Sequence, residues 1–500
     1  MAELLVGIDV GTSGVKTAVF DAAGRLLGSA RASHEVDRPR PGWAQSDPEG
    51  WWRGIVRSLA AALAEAHVRG DDVAAVGVGV LFPCIVPLDG RGRALHPAIL
   101  YSDQRSLAQV DFISERMGRE HYESIIGNSL VPGTCAATSV LYLRDEQPEA
   151  YASARVLGFA NTFVTGRLTG VFAADPTHAG LSGLADIRDP WRWSNEVCEA
   201  LGLDPACLPR IAGSADVIGD VTPSAARETG LRAGTPVICG CGDVPACAVG
   251  GGALTPDTTV YIAGSTDCVA LPMPGPTGDR RWAQTAYVPR AAWLGIGANT
   301  SSGAAVEWFI REFLPDAAPE GQARMTELAA SSPPGSGGVL FLPYLQGERT
   351  PVWDPRARGM FIGLTSRTTR GDLARAVFEG TAFALRQMVE CAGHASEIRA
   401  VGGGTRNDFW NQLKADVLQR PLDVLESQEP GTLGAALLAG VGTGAYGSFQ
   451  EAVALARRAL SVKRVAPRAA QAALYDEMLA LYSQLYPLTA DIVHGLSDMA

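Results

Sequence analysis

Two short stretches carry residues whose types and spacing suit phosphate chemistry. The first, GIDVGTSGVKTAVFD (Gly7 to Asp21), ends an apolar run in Asp9 and follows it with Gly11, Thr12, Ser13 and Gly14. A tight turn of that composition offers several backbone N–H groups and two hydroxyls to one spot, which suits a phosphate. Gly11 lets the backbone approach a ligand closely. Asp9 would then stand beside the phosphates as a partner for Mg2+, and Lys16 would add a positive point charge. The same residues fit a Gly-rich hairpin with a solvent-facing aspartate, and residue types alone do not separate the two readings. The second stretch, DTTVYIAGSTDCVALPMPG (Asp257 to Gly275), sets Gly264, Ser265 and Thr266 against Gly11, Thr12 and Ser13, with Ile262 in the place of Asp9. Two phosphate cradles with one acid between them describe a nucleotide held with a single metal on one side. The GxxxxGK[ST] motif is absent, which disfavours the P-loop class.

The elements around these stretches follow from periodicity. LLVGIDV and KTAVFD read as strands, DAAGR as the hairpin turn after them, and LLGSARASHEV as a third strand. SDPEGWWRGIVRSLAAALAEA has apolar residues at helical spacing, with Asp47 as N-cap and Pro48 at the first helical position. VAAVGVGV (Val73 to Val80) is a fourth strand, so the first hundred residues form an α/β unit with a mixed sheet. In the second half, AAWLGIGA and the helix SSGAAVEWFIREF follow the second hairpin in a similar order, and this order predicts an internal duplication. Between the halves, residues 101–220 read as a largely helical insertion in the first lobe. The glycines of LRAGTPVICGCGDVPACAVGGGALTP suit an interlobe hinge. Domains are therefore expected at 1–247 and 248–447, with a helical tail at 448–500.

With 500 residues, 47% apolar and 19% charged, the chain is a folded protein of more than one domain. A net charge of −11 argues against a nucleic-acid backbone as partner. Nine cysteines scattered singly, apart from Cys239, Cys241 and Cys247, suit a reducing compartment; the cluster reads as small buried hydrophobes rather than a metal site. MAELLVGID has no signal-peptide pattern, and GTLGAALLAGVGTGAYG (Gly431 to Gly447) reads as a buried helix with its C-terminal turn, so a cytoplasmic protein without a membrane partner is expected.

Six motifs in order resemble those of the FGGY carbohydrate kinases, xylulokinase-like, of the actin-like, ribonuclease-H-like ATPase superfamily. They are GIDVGTSGVKTAVFD, PGWAQSDPEGWW, AILYSDQRS, AGTPVICGCGD, LPYLQGERTPVWDPRARG and VGGGTRNDFWNQLKADVLQRPL. The resemblance implies two α/β lobes with mixed sheets flanked by helices and a deep interlobe cleft, with ATP and Mg2+ as cofactors. It implies Asp243 as the general base that takes the proton of a sugar hydroxyl, and as a second residue with Asp9 at the metal. Without the resemblance, an Asp after Gly could equally be a turn former. It further implies Asp103 as a sugar-binding acid, whose bland alternative is a helix cap, and Gly264, Ser265 and Thr266 as the second phosphate grip. Gly402, Gly403 and Gly404 would lie against adenosine, with Asn407 contacting the nucleotide. Glu348 and Arg349 of GERTP read as a structural ion pair, and Trp51 and Trp410 as packing residues. Many relatives are dimers, so a homodimer is a further expectation.

One departure bears on specificity. Where xylulokinases continue the VGVGV strand with Gln-Met-His, this chain has Leu81, Phe82 and Pro83. An imidazole is lost and an apolar wall gained beside the acceptor, which moves the expectation away from D-xylulose and toward another pentulose or small polyol. Ser139, Tyr142 and Asn161 also depart from the pattern. Two other functions are open to the same motifs: a switch ATPase of the actin or chaperone kind, and a non-catalytic sugar sensor.

Overall fold

The computed structural model describes residues 3–317, 319–391, 396–426 and 429–499. They divide into two compact units. The first comprises Met1–Thr255, Pro272–Leu294 and Glu429–Leu460; the second comprises Pro256–Leu271, Gly295–Gln428 and Ser461–Ala500.

The first unit opens with β1 (Leu4–Val10), β2 (Gly14–Phe20) and β3 (Leu26–Ser33), an antiparallel meander. The turn between β2 and β3 is held by Asp21, whose carboxylate accepts the backbone N–H groups of Ala23 and Arg25 and the Arg25 guanidinium. Helix α1 (Pro48–Glu65) starts where Asp47 accepts the N–H of Glu49, and buries Trp51, Trp52, Ile55, Leu59 and Leu63 against the sheet. Strand β4 (Val73–Val80) lies parallel to β1 with Gly79 opposite Asp9. It is apolar on both faces because both are covered. The section after it is helical, as expected, and includes the short helix α2 (Pro176–Leu181). Strands β5 (Val217–Asp220), β6 (Pro236–Ile238) and the two-residue β7 (Cys241–Gly242) complete the sheet. The order is β5-β6-β4-β1-β2-β3, with β7 paired to the far end of β4. Helix α3 (Asp243–Gly250) leaves directly from β7.

The second unit repeats the opening motif with β8 (Thr258–Ala263) and β9 (Asp267–Met273), antiparallel, followed by β10 (Trp293–Ala298) and helix α4 (Gly303–Phe313). Helix α5 (Arg370–Cys391) precedes β11 (Glu397–Val401), which runs parallel to β8. Helix α6 (Asp408–Leu418) and β12 (Leu422–Leu425) follow. The chain then returns to the first unit for α7 (Pro430–Gly442) before β13 (Val462–Val465) and the long helix α8 (Ala472–Ser497) finish the second. Strand order here is β10-β9-β8-β11-β12-β13.

This division differs from the boundaries read in the sequence. Helix α3 runs unbroken through residue 247, so the first unit extends past the expected limit to Thr255, a position still inside the glycine-rich stretch read as a hinge. Residues 430–460, placed by sequence across the second domain and the tail, pack in the first unit. The reason is steric. A Cβ on Gly7 of β1 would lie 1.8 Å from the Thr432 carbonyl oxygen, and one on Gly77 of β4 would lie 1.8 Å from that of Ala435. Two glycines on the sheet face let α7 lie directly on the backbone of β1 and β4, a closeness that hydropathy cannot reveal. The tail is likewise split, with α8 in the second unit. No described helix is long and apolar enough to cross a membrane.

Candidate active site

Asp9 sits on the last turn of the pleat before the β1–β2 tip, directly across the hairpin from Lys16. Both are half-buried. The tip closes through the N–H of Gly11, which donates to the Gly14 carbonyl at 2.9 Å. Among the described residues, the N–H groups of Thr12 and Ser13 meet no protein acceptor, and the Thr12 hydroxyl lies 3.3 Å from that of Tyr101. A cradle of amides with room for an anion is therefore present.

Lys16 is tied at 3.2 Å to Glu429, the residue that precedes α7. Sequence reasoning missed Glu429, which lies more than four hundred positions away on a segment with no motif around it. The next residues of α7 also close on the site: a Cβ on Gly431 would be 2.6 Å from Asp9 Oδ2. The N-terminal end of α7 thus presses on the Asp9 carboxylate, where its dipole favours negative charge.

Asp243 is the first residue of α3. Strand β7 pairs with β4 at Cys241↔Gly79, and β1 pairs with β4 at Asp9↔Gly79. Asp9 and Asp243 therefore lie at the carboxyl ends of three side-by-side parallel strands, the usual place for a ligand on an open α/β sheet. The strand between them carries Gly79, which adds no side chain. Burial pushes Asp243 up to about 8, helped by the charge of Asp9 and opposed by the N–H of Val244, which donates to Asp243 Oδ1 at 2.9 Å. Asp9 rises to about 6, again by burial first, with Lys16 opposing and Glu429 adding to the rise. Asp9 Oδ1 is buried and accepts no hydrogen bond from the described residues. Asp9 adds to the rise of Asp243 and Glu429 to that of Asp9, so three carboxylates bear on one another here, one of them with an orphaned oxygen.

Leu81, Phe82 and Pro83 continue β4 and are buried. The Phe82 ring lies so close to Gly242 that a Cβ there would be 2.5 Å from Cδ1. The apolar wall thus abuts the residue that precedes Asp243.

Asp103 has other work. It is fully buried, accepts the Ala44 N–H at 2.6 Å and the Arg105 N–H at 2.8 Å, and forms a buried ion pair with Arg105 at 2.9 Å. The Arg105 guanidinium lies 3.8 Å above the Trp43 ring. Every lone-pair direction of Asp103 that matters is committed, so the expected sugar contact is replaced by a structural ion pair that fixes the 42–46 loop. The helix-cap alternative is not met either: the next helix is Leu107–Met117, with Ser106 at its N-cap position.

In the second unit, the carbonyls of Gly264 and Ser265 accept the N–H groups of Ser302, Gly303 and Ala304 at the start of α4. Those bonds consume the carbonyls of the tip. The N–H groups of Ser265 and Thr266 meet no protein acceptor among the described residues. Beside this tip, at the end of the parallel neighbour β11, lie Gly402, Gly403 and Gly404. Gly402 has φ 97°, and a Cβ on it would lie 2.5 Å from the Ala263 carbonyl oxygen. A Cβ on Gly403 would meet nothing within 4 Å, so that backbone is open. Asn407 is the N-cap of α6: its Oδ1 accepts the Trp410 N–H and its Nδ2 donates to Thr326 at 2.9 Å. One Nδ2 hydrogen and the Oδ1 are thus engaged at the start of α6, and the second Nδ2 hydrogen is left for other partners. Trp51 and Trp410 are buried packing residues, as read.

Glu348 is buried and raised to about 8 by that burial, with its Oε1 accepting the N–H groups of Thr300 and Arg349. Arg349 donates to the Asn299 carbonyl at 2.7 Å. The pair ties the GERTP loop to residues 299–300, a structural role. Cys239 and Cys241 are buried thiols pushed well up by burial. Cys247 is half-buried and stands within 3.3 Å of where a Gly431 Cβ would lie.

Residues 4–250 match the N-terminal domain of the FGGY family of carbohydrate kinases, and residues 259–443 match its C-terminal domain. A xylulose kinase of Escherichia coli K12 is 30% identical over 501 residues, covering 97% of this chain and 100% of its own. A glycerol kinase of Nocardia farcinica is 30% identical over 465 residues, covering 89% of this chain and 91% of its own. Among solved structures, the xylulose kinase of Rhodospirillum rubrum superposes with a TM-score of 0.87 at 28% identity, over 98% of this chain and 100% of that one.

Proposed function

The chain belongs to the FGGY family of carbohydrate kinases, and from that premise we propose that it transfers the terminal phosphoryl group of ATP to a hydroxyl of a small sugar or polyol, with Asp243 as general base. The observation that supports this reading best is the pair of half-buried carboxylates at the ends of neighbouring parallel strands, one leading into an amide-rich tip and the other beginning a helix. Asp243 spends Oδ1 on the Val244 N–H, which leaves Oδ2 for the acceptor. The acceptor hydroxyl gives its proton to that oxygen, its own oxygen bonds to the terminal phosphorus, and the bond from phosphorus to the bridging oxygen breaks to release ADP. Base catalysis of this kind contributes roughly 10²–10⁴-fold.

Mg2+ fits the residues present, since Asp9 Oδ1 is orphaned and Asp243 is raised by burial and then by the charge of Asp9; these two would hold it. When bound, it would neutralise charge on the phosphates. Lys16 and the N–H groups of Thr12 and Ser13 would hold phosphate oxygens, and Ser265, Thr266 and the open Gly403 backbone belong to nucleotide binding. The buried Leu81-Phe82-Pro83 wall favours an acceptor with fewer hydroxyls on that side than xylulose, although xylulose and glycerol kinases stand among the relatives. The test is ADP release, coupled to a spectrophotometric readout, with ATP and a panel of pentuloses, polyols and deoxy-sugars. ADP formation that needs an acceptor supports the reading. Full-rate ADP formation with no acceptor would make the chain a switch ATPase instead.

A further inference from the structure

Strand β7 is only two residues long, yet it delivers Asp243. Its ladder to β4 rests on Cys241 and Gly242 alone. A base on so short a strand depends on ties from elsewhere, and the structure supplies them through one buried carboxylate. Asp175, the N-cap of α2, is fully buried. Its Oδ2 accepts the Thr177 N–H at 3.0 Å and the Ser214 hydroxyl at 2.8 Å. Its Oδ1 accepts the ring Nδ1–H of His178 at 2.5 Å, which fixes the imidazole. Both partners then reach the segment that carries the base. The Ser214 carbonyl accepts the N–H of Gly240 at 2.9 Å, and the Thr177 hydroxyl oxygen accepts the N–H of Gly242 at 3.0 Å. The two ties bracket β7.

The His178 ring adds a third hold. Its centroid lies 5.5 Å from both Phe82 and Phe159, and Phe82 in turn abuts Gly242. The imidazole is fully buried and its Nε2 has no hydrogen-bond partner among the described residues, so the ring acts through its Nδ1 bond and its packing. None of these side chains is part of the motifs that mark the site in the sequence.

We propose that Thr177 is a positioning residue for Asp243, held in place by Asp175 and His178, so that the aim of the base is set from α2. This rests on Asp243 being the base. A hydrogen bond to Gly242 N–H fixes the plane of the Cys241–Gly242 peptide, the unit before the peptide that carries Asp243, and a shift of about 1 Å in a catalytic group can cost on the order of 10²-fold.

The experiment uses the full chain with Thr177→Val, which keeps the shape and removes the acceptor oxygen, and Thr177→Ser, which keeps the oxygen. For Thr177→Val, kcat is expected to fall about 10–100-fold, with the KM for ATP and Tm close to wild type; Thr177→Ser is expected to restore most of the kcat. A Thr177→Val enzyme with wild-type kcat, or a Thr177→Ser enzyme as impaired as Thr177→Val, overturns the proposal. If Thr177→Val does not fold, Ser214→Ala loosens the other tie and should lower kcat by a smaller factor; an unchanged kcat there overturns it equally. A crystal structure of Thr177→Val should show residues 240–243 displaced, and an unmoved segment counts against the proposal without any turnover. Failure of the kinase reading itself is seen separately, as absence of acceptor-dependent ADP release by the wild-type protein.

Discussion

The two Gly–hydroxyl hairpins begin alike and handle their acids in opposite ways. In the first, Asp9 stands on the strand that enters the tip, half-buried, with one oxygen unsatisfied and Lys16 already bound to Glu429. In the second, the corresponding position is Ile262, which supported the reading of one acid for two cradles. That hairpin nevertheless has an acid, Asp267, on the strand that leaves the tip. Asp267 is fully buried; burial raises its carboxyl, and the ammonium of Lys414 opposes the rise. Lys414 is itself fully buried, lowered to about 8 by that burial, hydrogen-bonded to the Tyr261 hydroxyl and 3.5 Å above the Trp410 ring. The first hairpin therefore holds its acid half-buried beside an open tip, with Lys16 as countercharge, and the second encloses its acid fully, with the buried Lys414 as countercharge. The first arrangement suits ligand chemistry and the second suits architecture, although the local sequences differ by only a few residues.

The comparison can be broken most directly at Asp9. Asp9→Asn removes the orphaned charge without changing shape, and kcat should fall by about 10²–10³-fold, the scale of losing one preorganised electrostatic group, while Tm holds or rises. A variant with near wild-type turnover would place Asp9 among ordinary surface acids. The converse test is Lys414→Met, which leaves Asp267 buried and uncompensated. Unfolding by denaturant should show a loss of about 3–5 kcal/mol, and adding Asp267→Asn should recover most of it. Equal losses in the single and double variants would show that the two charges do not act as a pair.

A third test uses pH. Asp9 and Asp243 hold protons more tightly in the folded chain than an ordinary aspartate, at about 6 and about 8. The stability this contributes is complete below about pH 4 and is lost as pH rises through those two values. The Tm of the ligand-free protein should therefore fall between pH 4 and pH 8, and Asp243→Asn should flatten the upper part of the fall. A Tm that climbs over that range would contradict the shared burial of the two acids. The smallest effect is expected at the hydroxyls. Thr12→Ala and Ser265→Ala keep the amide cradle, so the KM for ATP should rise by no more than about tenfold, the size of one ordinary hydrogen bond.

How much of this was legible in the residues follows from what kind of contact each makes. The hairpins, α1 with its Asp47 cap and the buried helix α7 are local patterns, and alternation and helical spacing record them. Asp9 and Asp243 were legible because motifs surround them. Glu429 was not, because its role depends on α7 returning to β1, and only the glycines at positions 7 and 77 hint at that return. Asp103 looked like a ligand because a carboxylate beside polar residues does; Arg105, two positions on, turns it into an internal ion pair. Asn407 is the N-cap of α6, and an N-cap and a nucleotide contact draw on the same residue type, so the residue alone does not distinguish them. Asp175 and His178 lie in an unremarked stretch whose meaning appears only where α2 meets Gly242.

The return of α7 also has a bearing on how the molecule is made. Its thirteen residues cover β1 and β4, which were synthesised some 350 to 430 positions earlier. Until the ribosome has released that segment, the parts of the first sheet at Gly7 and Gly77 lack the helix that lies on them, and a nascent chain stopped short of Pro430 would expose those backbones to chaperones and proteases. Contacts of such long sequence separation slow folding, so the part of the molecule translated first is obliged to mature among the last.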